Sequence, residues 1–67
     1  MTTHTIKALR AKRTEIDEHI TVAKKARRNA ADDAAKAQYS QRIATLRLER
    51  KKVGDTLRAT RAQVAAQ

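Results

Sequence analysis

The sequence predicts an all-α fold, an antiparallel two-helix hairpin, from three observations. Large apolar residues recur every three or four positions in two stretches, a spacing that places side chains on one face of a helix. The two stretches do not share a heptad register, so one continuous helix would turn the second apolar stripe away from the first by roughly a quarter turn. Facing residues also pair consistently across a bend, since Ile20 with Ile43 and Ile16 with Leu46 have numbers that sum to 63 and 62.

The first helix is expected over about 4–28, after a frayed N-terminal tail. Thr3 or Thr5 could cap it, because a threonine oxygen accepts a hydrogen bond from a backbone N–H two or three positions on. Arg13 could reach Asp17 across one helical turn. The acidic residues near Asp17 are also expected level with Arg42 and Arg47 of the second helix, so that ion pairs between the helices are possible.

The turn is expected at about 29–32. Asn29 tolerates the left-handed conformation that often ends a helix. Asp32 and Asp33 stand where the second helix would begin, and a short carboxylate there can accept from the free N–H groups of its first turn.

The second helix is expected over about 33–65. Gly54 interrupts it at a cost of about 1 kcal/mol relative to alanine, and either lets another helix approach or is merely tolerated. Val64 has no counterpart in the first helix, so the second helix extends beyond the first. Its last residues either fray or pack on a partner. The residues expected in the seam between the helices, or in an oligomer core, are Ile6, Leu9, Ile16, Ile20, Tyr39, Ile43, Leu46, Val53, Leu57 and Val64.

The chain is predicted to be a single helical-hairpin domain over 1–67 that needs a partner to complete its core. Apolar residues make up 40% of the chain, but many are alanines and there is no Phe or Trp. Small chains rarely bury enough apolar surface to stand alone. A homodimer, or a four-helix or coiled-coil assembly with another partner, is therefore expected.

Sixteen Lys and Arg against seven Asp and Glu give a formal net charge of +9. Such an excess argues for an anionic partner, either nucleic acid or an acidic protein surface. Two basic runs come to the same level of the hairpin around the facing Arg13 and Arg50, which would repel each other unless paired or solvated; Glu49 is the only acid expected close to them. We call this predicted anion-binding set the mid-hairpin patch: Arg10, Lys12, Arg13, Arg47, Arg50, Lys51 and Lys52. A second set, the turn-end patch, comprises Lys24, Lys25, Arg27, Arg28 and Lys36. For both sets a solvated face is the alternative to a site.

Catalysis is not expected, and neither a metal nor a cofactor is predicted. The chain has no cysteine and no glycine-rich phosphate loop, and Ser40 has no histidine expected near it. Glu15 and His19 share a helix face, but two residues without further ligands make a poor metal site.

The predicted function is non-enzymatic binding of nucleic acid, mainly through phosphate contacts, in an accessory or regulatory role. The only aromatic residue, Tyr39, is assigned to the seam, so no platform remains on which bases could stack. The alternative is an inhibitor, adaptor or assembly factor that docks an acidic protein. No apolar run is long enough to span a bilayer and no secretory signal is evident, so a cytoplasmic protein without membrane contact is expected.

Overall fold

A computed structural model describes residues 2–66 of the chain, with side chains described from residue 4 onwards. Two helices, α1 (Thr2–Asn29) and α2 (Asp33–Ala66), account for all but the short connection at 30–32. They pack against each other, which confirms the predicted all-α fold. The helices run antiparallel, because Arg27 near the end of α1 donates a hydrogen bond to Ser40 near the start of α2. The hairpin is a rod whose Cα atoms extend over 53 × 14 × 12 Å.

Both helices extend slightly beyond their expected ends. α1 begins at Thr2 rather than near residue 4, which places Thr3 and Thr5 within the helix. α2 continues to Ala66 rather than 65. No proline or glycine stands near either outer end, and the final residues of α2 are strong helix formers, so nothing in the local sequence stops the helices earlier.

The turn depends on Asp32, whose side chain caps α2. The backbone N–H of Ala35 donates to Asp32 Oδ1 at 2.7 Å. The N–H of Lys36 donates to the Asp32 carbonyl oxygen at 3.1 Å, which is the first hydrogen bond of the helix. Asp32 thereby satisfies one of the N–H groups that the first helical turn leaves without a partner.

The end of α1 differs from the expectation for Asn29. No residue within 2–66 has a positive φ, so Asn29 does not adopt the left-handed conformation. Instead, the N–H of Ala30 donates to the carbonyl oxygen of Arg27 at 3.3 Å. This tight three-residue closure ends α1 without a left-handed residue, and the cap at Asp32 then starts α2.

The core is a narrow seam between the helices. Its main cluster consists of Ile16, Ile20, Ala23, Ile43 and Leu46, with Val53 packed against it. Leu57 is also buried, nearer the open end of the hairpin. The other residues expected in the seam are more accessible: Ile6, Leu9 and Tyr39 are half-buried and Val64 is exposed. Buried side chains thus come from one stripe on each helix, and the stripe fixes which way the remaining side chains face.

Candidate functional site

Basic side chains line a continuous groove along one side of the hairpin. Its central section is lined by Asp17, Ile20, Lys24, Arg47, Arg50, Lys51, Gly54, Asp55 and Arg58. The section towards the turn is lined by Lys24, Arg27, Arg28, Lys36 and Arg47. The section towards the open end is lined by Arg13, Arg50, Gly54, Leu57, Arg58 and Arg61. Because neighbouring sections share lining residues, we treat the three as one surface and call it the basic groove.

The side chains that line the basic groove carry a large excess of positive charge. The groove is lined by ten Lys and Arg side chains, and the acids among its lining residues are Asp17 and Asp55. Along α2 its cations stretch from Lys36 to Arg61, a distance of about 37 Å at about 1.5 Å per residue. This density of cations along a straight surface suits a linear polyanion.

Helical register explains which residues reach the groove. Ala23 and Leu46 lie in the seam, and the residues that directly follow them, Lys24 and Arg47, lie on the groove side. Residues that directly precede a seam position lie on the opposite side of their helix, since one residue corresponds to about 100° of rotation. That opposite side has a more even charge, and its ionisable residues include Lys12, Glu15, His19, Arg42, Glu49 and Lys52.

The structure places four of the seven residues of the mid-hairpin patch in the basic groove. Arg13, Arg47, Arg50 and Lys51 line the basic groove. Arg10, Lys12 and Lys52 line none of its three sections. Lys12 directly precedes the seam position Arg13, and Lys52 directly precedes Val53, so both point to the other side. The constant sum of facing residue numbers gives the level of a residue along the hairpin but not the side on which it lies. The predicted patch therefore included residues from outside the groove.

The turn-end patch joins the same surface. Lys24, Arg27, Arg28 and Lys36 line the section of the groove nearest the turn, whereas Lys25 does not. Lys24 and Arg47 line both this section and the central one. The two predicted patches are therefore parts of one groove rather than separate sites.

Two groove residues, Arg58 and Arg61, were not among the predicted site residues. Both line the section towards the open end. Their spacing contained the signal, because Arg58 follows Lys51 by seven residues and Arg61 follows Arg47 by fourteen, spacings that keep side chains on one helical face. The apolar spacing that predicts the core of α2 therefore also predicts which basic residues lie on the adjacent face.

Two arginines at the seam, Arg50 and Arg27, have polar partners on the other helix. Arg50 Nε donates to Asp17 Oδ1 at 2.5 Å, and both side chains remain about half exposed, at 48% and 47%. Asp17 therefore pairs across the hairpin with Arg50, not along its own helix with Arg13 as expected. Arg27 Nη1 donates to Ser40 Oγ at 3.3 Å. Repulsion within the Arg13–Arg50 layer is thus relieved by Asp17 rather than by the predicted neighbour Glu49.

The remaining candidates for chemistry do not assemble into a site. His4, Glu15 and His19 are exposed. Within residues 2–66, no group of three or more His, Asp or Glu side chains is placed to hold a metal ion. None of the described helices is apolar enough over a sufficient length to cross a membrane.

The chemistry available in the basic groove is anion binding. Guanidinium groups present a planar fork of N–H donors that matches phosphate and carboxylate oxygens, and lysines add mobile point charges. Groove cations come from both helices, so an anionic chain lying in it would be contacted from two walls. Searches for related proteins found that no family model, curated protein or solved structure matches this chain.

Proposed function

We propose that the protein is a small non-enzymatic nucleic-acid-binding protein, with an accessory or regulatory role, that contacts phosphates through the basic groove. The observation that carries this proposal is the alignment of ten Lys and Arg side chains along one side of the hairpin. Phosphate contacts made by such side chains supply most of the sequence-independent affinity of proteins for nucleic acid. The net charge of +9 adds a long-range attraction that speeds association.

The make-up of the groove favours nucleic acid over an acidic protein as its partner. The energetic centre of a protein–protein interface is usually apolar and rich in aromatic residues. The large apolar side chains that line the groove, Ile20 and Leu57, are buried in the seam and offer little surface to a partner. Interfaces with nucleic acid are more polar and more positively charged, as this groove is.

The proposal includes a second copy of the chain or another partner that completes a helical bundle, in the cytoplasm. The main core cluster contains only five buried residues. Val22 and Leu48 are 67% and 61% exposed, and Val64 is 40% exposed. Covering such side chains would add apolar burial that the isolated hairpin lacks, so the melting temperature should rise with protein concentration.

The test compares two variants that lower the formal charge equally, from +9 to +5. The groove variant replaces Lys24, Arg47, Lys51 and Arg58 with Gln. The control variant replaces Lys12, Lys25, Arg42 and Lys52, which line none of the groove sections. Gln has a helix propensity close to those of Lys and Arg, so both variants should keep the fold, as circular dichroism would verify.

Binding to labelled nucleic acid is then followed by fluorescence anisotropy over a series of salt concentrations. For the groove variant we expect the slope of log affinity against log salt to become shallower by up to about 3.6, which is about 0.9 for each duplex phosphate that the protein no longer neutralises. The control should change the slope far less. Equal reductions in the two variants would show that overall charge, not the groove, drives binding. Capture of an acidic protein without any binding to nucleic acid would overturn the proposal in favour of a protein-docking module.

A further inference from the structure

The basic groove lacks the aromatic side chains on which proteins stack unpaired bases. Binding of single strands normally combines a cationic groove with aromatic residues, each stacked base being worth about 1–3 kcal/mol. Tyr39 is the only aromatic residue of the chain; it is half-buried and lines none of the three groove sections. A single strand in this groove would therefore be held mainly by its phosphates, without aromatic stacking of its bases.

The shape of the groove favours a stiff ligand. Its cations follow an uninterrupted helix, α2, over about 37 Å, and the hairpin as a whole is a straight rod 53 Å long. A duplex has a persistence length of about 150 base pairs and stays straight over this distance without an entropic cost. A single strand would have to be straightened, with no stacking to compensate for the freedom it loses. A duplex also presents one charge per about 1.7 Å of axis, roughly twice the density of one strand.

The width of the hairpin determines how it can lie on a duplex. Each helix with its side chains is about 10–12 Å across, and packed helices lie about 8–10 Å apart, so the pair is close to 20 Å wide. The major groove of B-DNA, about 12 Å wide, admits a single helix but not two side by side. When the basic groove faces the duplex, both helices lie against it, and the hairpin then rests on the sugar–phosphate backbones. Lys24 and Arg28 on α1, with Lys36, Arg47 and Arg58 on α2, then face the phosphates from two walls.

From these three features we infer that the ligand of the basic groove is double-stranded nucleic acid, bound along about one helical turn without reading its sequence. This inference rests on the proposed function and names its substrate class. The phosphate chemistry is common to DNA and RNA duplexes, so the two are separate arms of the test. Preference for a duplex comes from the absence of exposed aromatic residues on the groove together with its straightness.

The experiment measures affinity of the full chain for four probes at near-physiological salt. The probes are a DNA duplex and an RNA duplex of about 20 base pairs, roughly two turns, and unstructured single strands of both chemistries with the same length. We expect each duplex that binds to do so about tenfold more tightly than its single strand, because more phosphates are contacted. A change of duplex sequence should alter affinity by less than about twofold, because phosphate contacts carry no sequence information.

The outcomes separate this inference from the proposed function. Equal or tighter binding of single strands would overturn the duplex preference and leave nucleic-acid binding intact. Tight binding to one duplex sequence alone would overturn backbone recognition. If none of the four probes binds, the proposed function itself fails. In the groove variant the preference for duplex should fall with the affinity, whereas in the control variant both should persist.

Discussion

Asp17 and Arg50 join the two helices through a hydrogen bond of 2.5 Å between Oδ1 and Nε, at the edge of the basic groove. Both side chains are about half exposed. In the free protein the Asp17 carboxylate therefore accepts a hydrogen bond from the Arg50 guanidinium, which would otherwise be available to a phosphate. Because a phosphate at Arg50 must compete with Asp17, this one acid should limit how tightly the groove binds anions.

Asp17→Asn removes that competitor while keeping a side chain of the same shape. We expect affinity for nucleic acid to rise about fivefold, which corresponds to about 1 kcal/mol for one unfavourable charge near the ligand. The free energy of unfolding should fall by less than about 1 kcal/mol, since an exposed ion pair is worth little. Anisotropy titration and urea denaturation measure the two effects.

Glu18→Gln is the matched control for Asp17→Asn. It removes the same charge one residue further along α1, from an exposed side chain that does not line the groove. Its effect on affinity should be smaller than that of Asp17→Asn. If both variants gain affinity equally, the Asp17–Arg50 pair has no special influence on binding.

The sequence was sufficient to predict the hairpin but only part of the groove. Two apolar stripes out of register, and the pairing of Ile20 with Ile43, required a bend, and the middle of both stripes forms the core. Asp32 was recognisable as a cap because short carboxylates favour that position. These features depend on spacing along the chain, which the sequence contains directly.

The rest depended on quantities that spacing along the chain does not contain. Asp17 was expected within reach of Arg13 one turn away and level with Arg42 and Arg47 across the hairpin, but it pairs with Arg50, because three-dimensional distances decide the partner. Lys12 and Lys52 were grouped with the site because their level along the hairpin was known while their side was not. Asn29 was expected to be left-handed from its residue type, but the closure by Ala30 made that conformation unnecessary.

The cap at Asp32 should contribute measurably to stability. Asp32→Ala removes the oxygen that accepts from the N–H of Ala35, and we expect unfolding free energy to fall by about 0.5–2 kcal/mol. Asp33→Ala serves as the comparison, because it removes an equal charge from the same end of α2 but leaves that cap bond in place. Urea denaturation followed by circular dichroism measures both. A larger loss for Asp33→Ala would show that charge at the helix end, not the hydrogen bond, is the main stabilising effect.

The seam should respond far more strongly to truncation than the outer faces. Ile43 is 2% exposed, so Ile43→Ala should cost about 2–5 kcal/mol and leave much of such a small chain unfolded. Leu48, on the outer face of α2 and 61% exposed, should cost less than about 0.5 kcal/mol when changed to Ala in an isolated hairpin. A large loss at Leu48, growing with protein concentration, would instead place that residue in the interface with a second copy.

Gly54 lies in the basic groove, and its replacement distinguishes a tolerated glycine from a point of close approach. Apart from the neighbours Val53 and Asp55 and the nearby helix backbone, no atom of the described chain would lie within 4 Å of a Cβ added there. Gly54→Ala should therefore stabilise the hairpin by about 0.8–1.0 kcal/mol, the difference in helix propensity between the two residues. Thermal denaturation at low and high protein concentration provides the measurement. If the variant is stabilised at both concentrations, the glycine serves no packing contact. If it loses stability as concentration rises, another helix packs at Gly54 in the assembly, and the groove is then partly covered by that second copy.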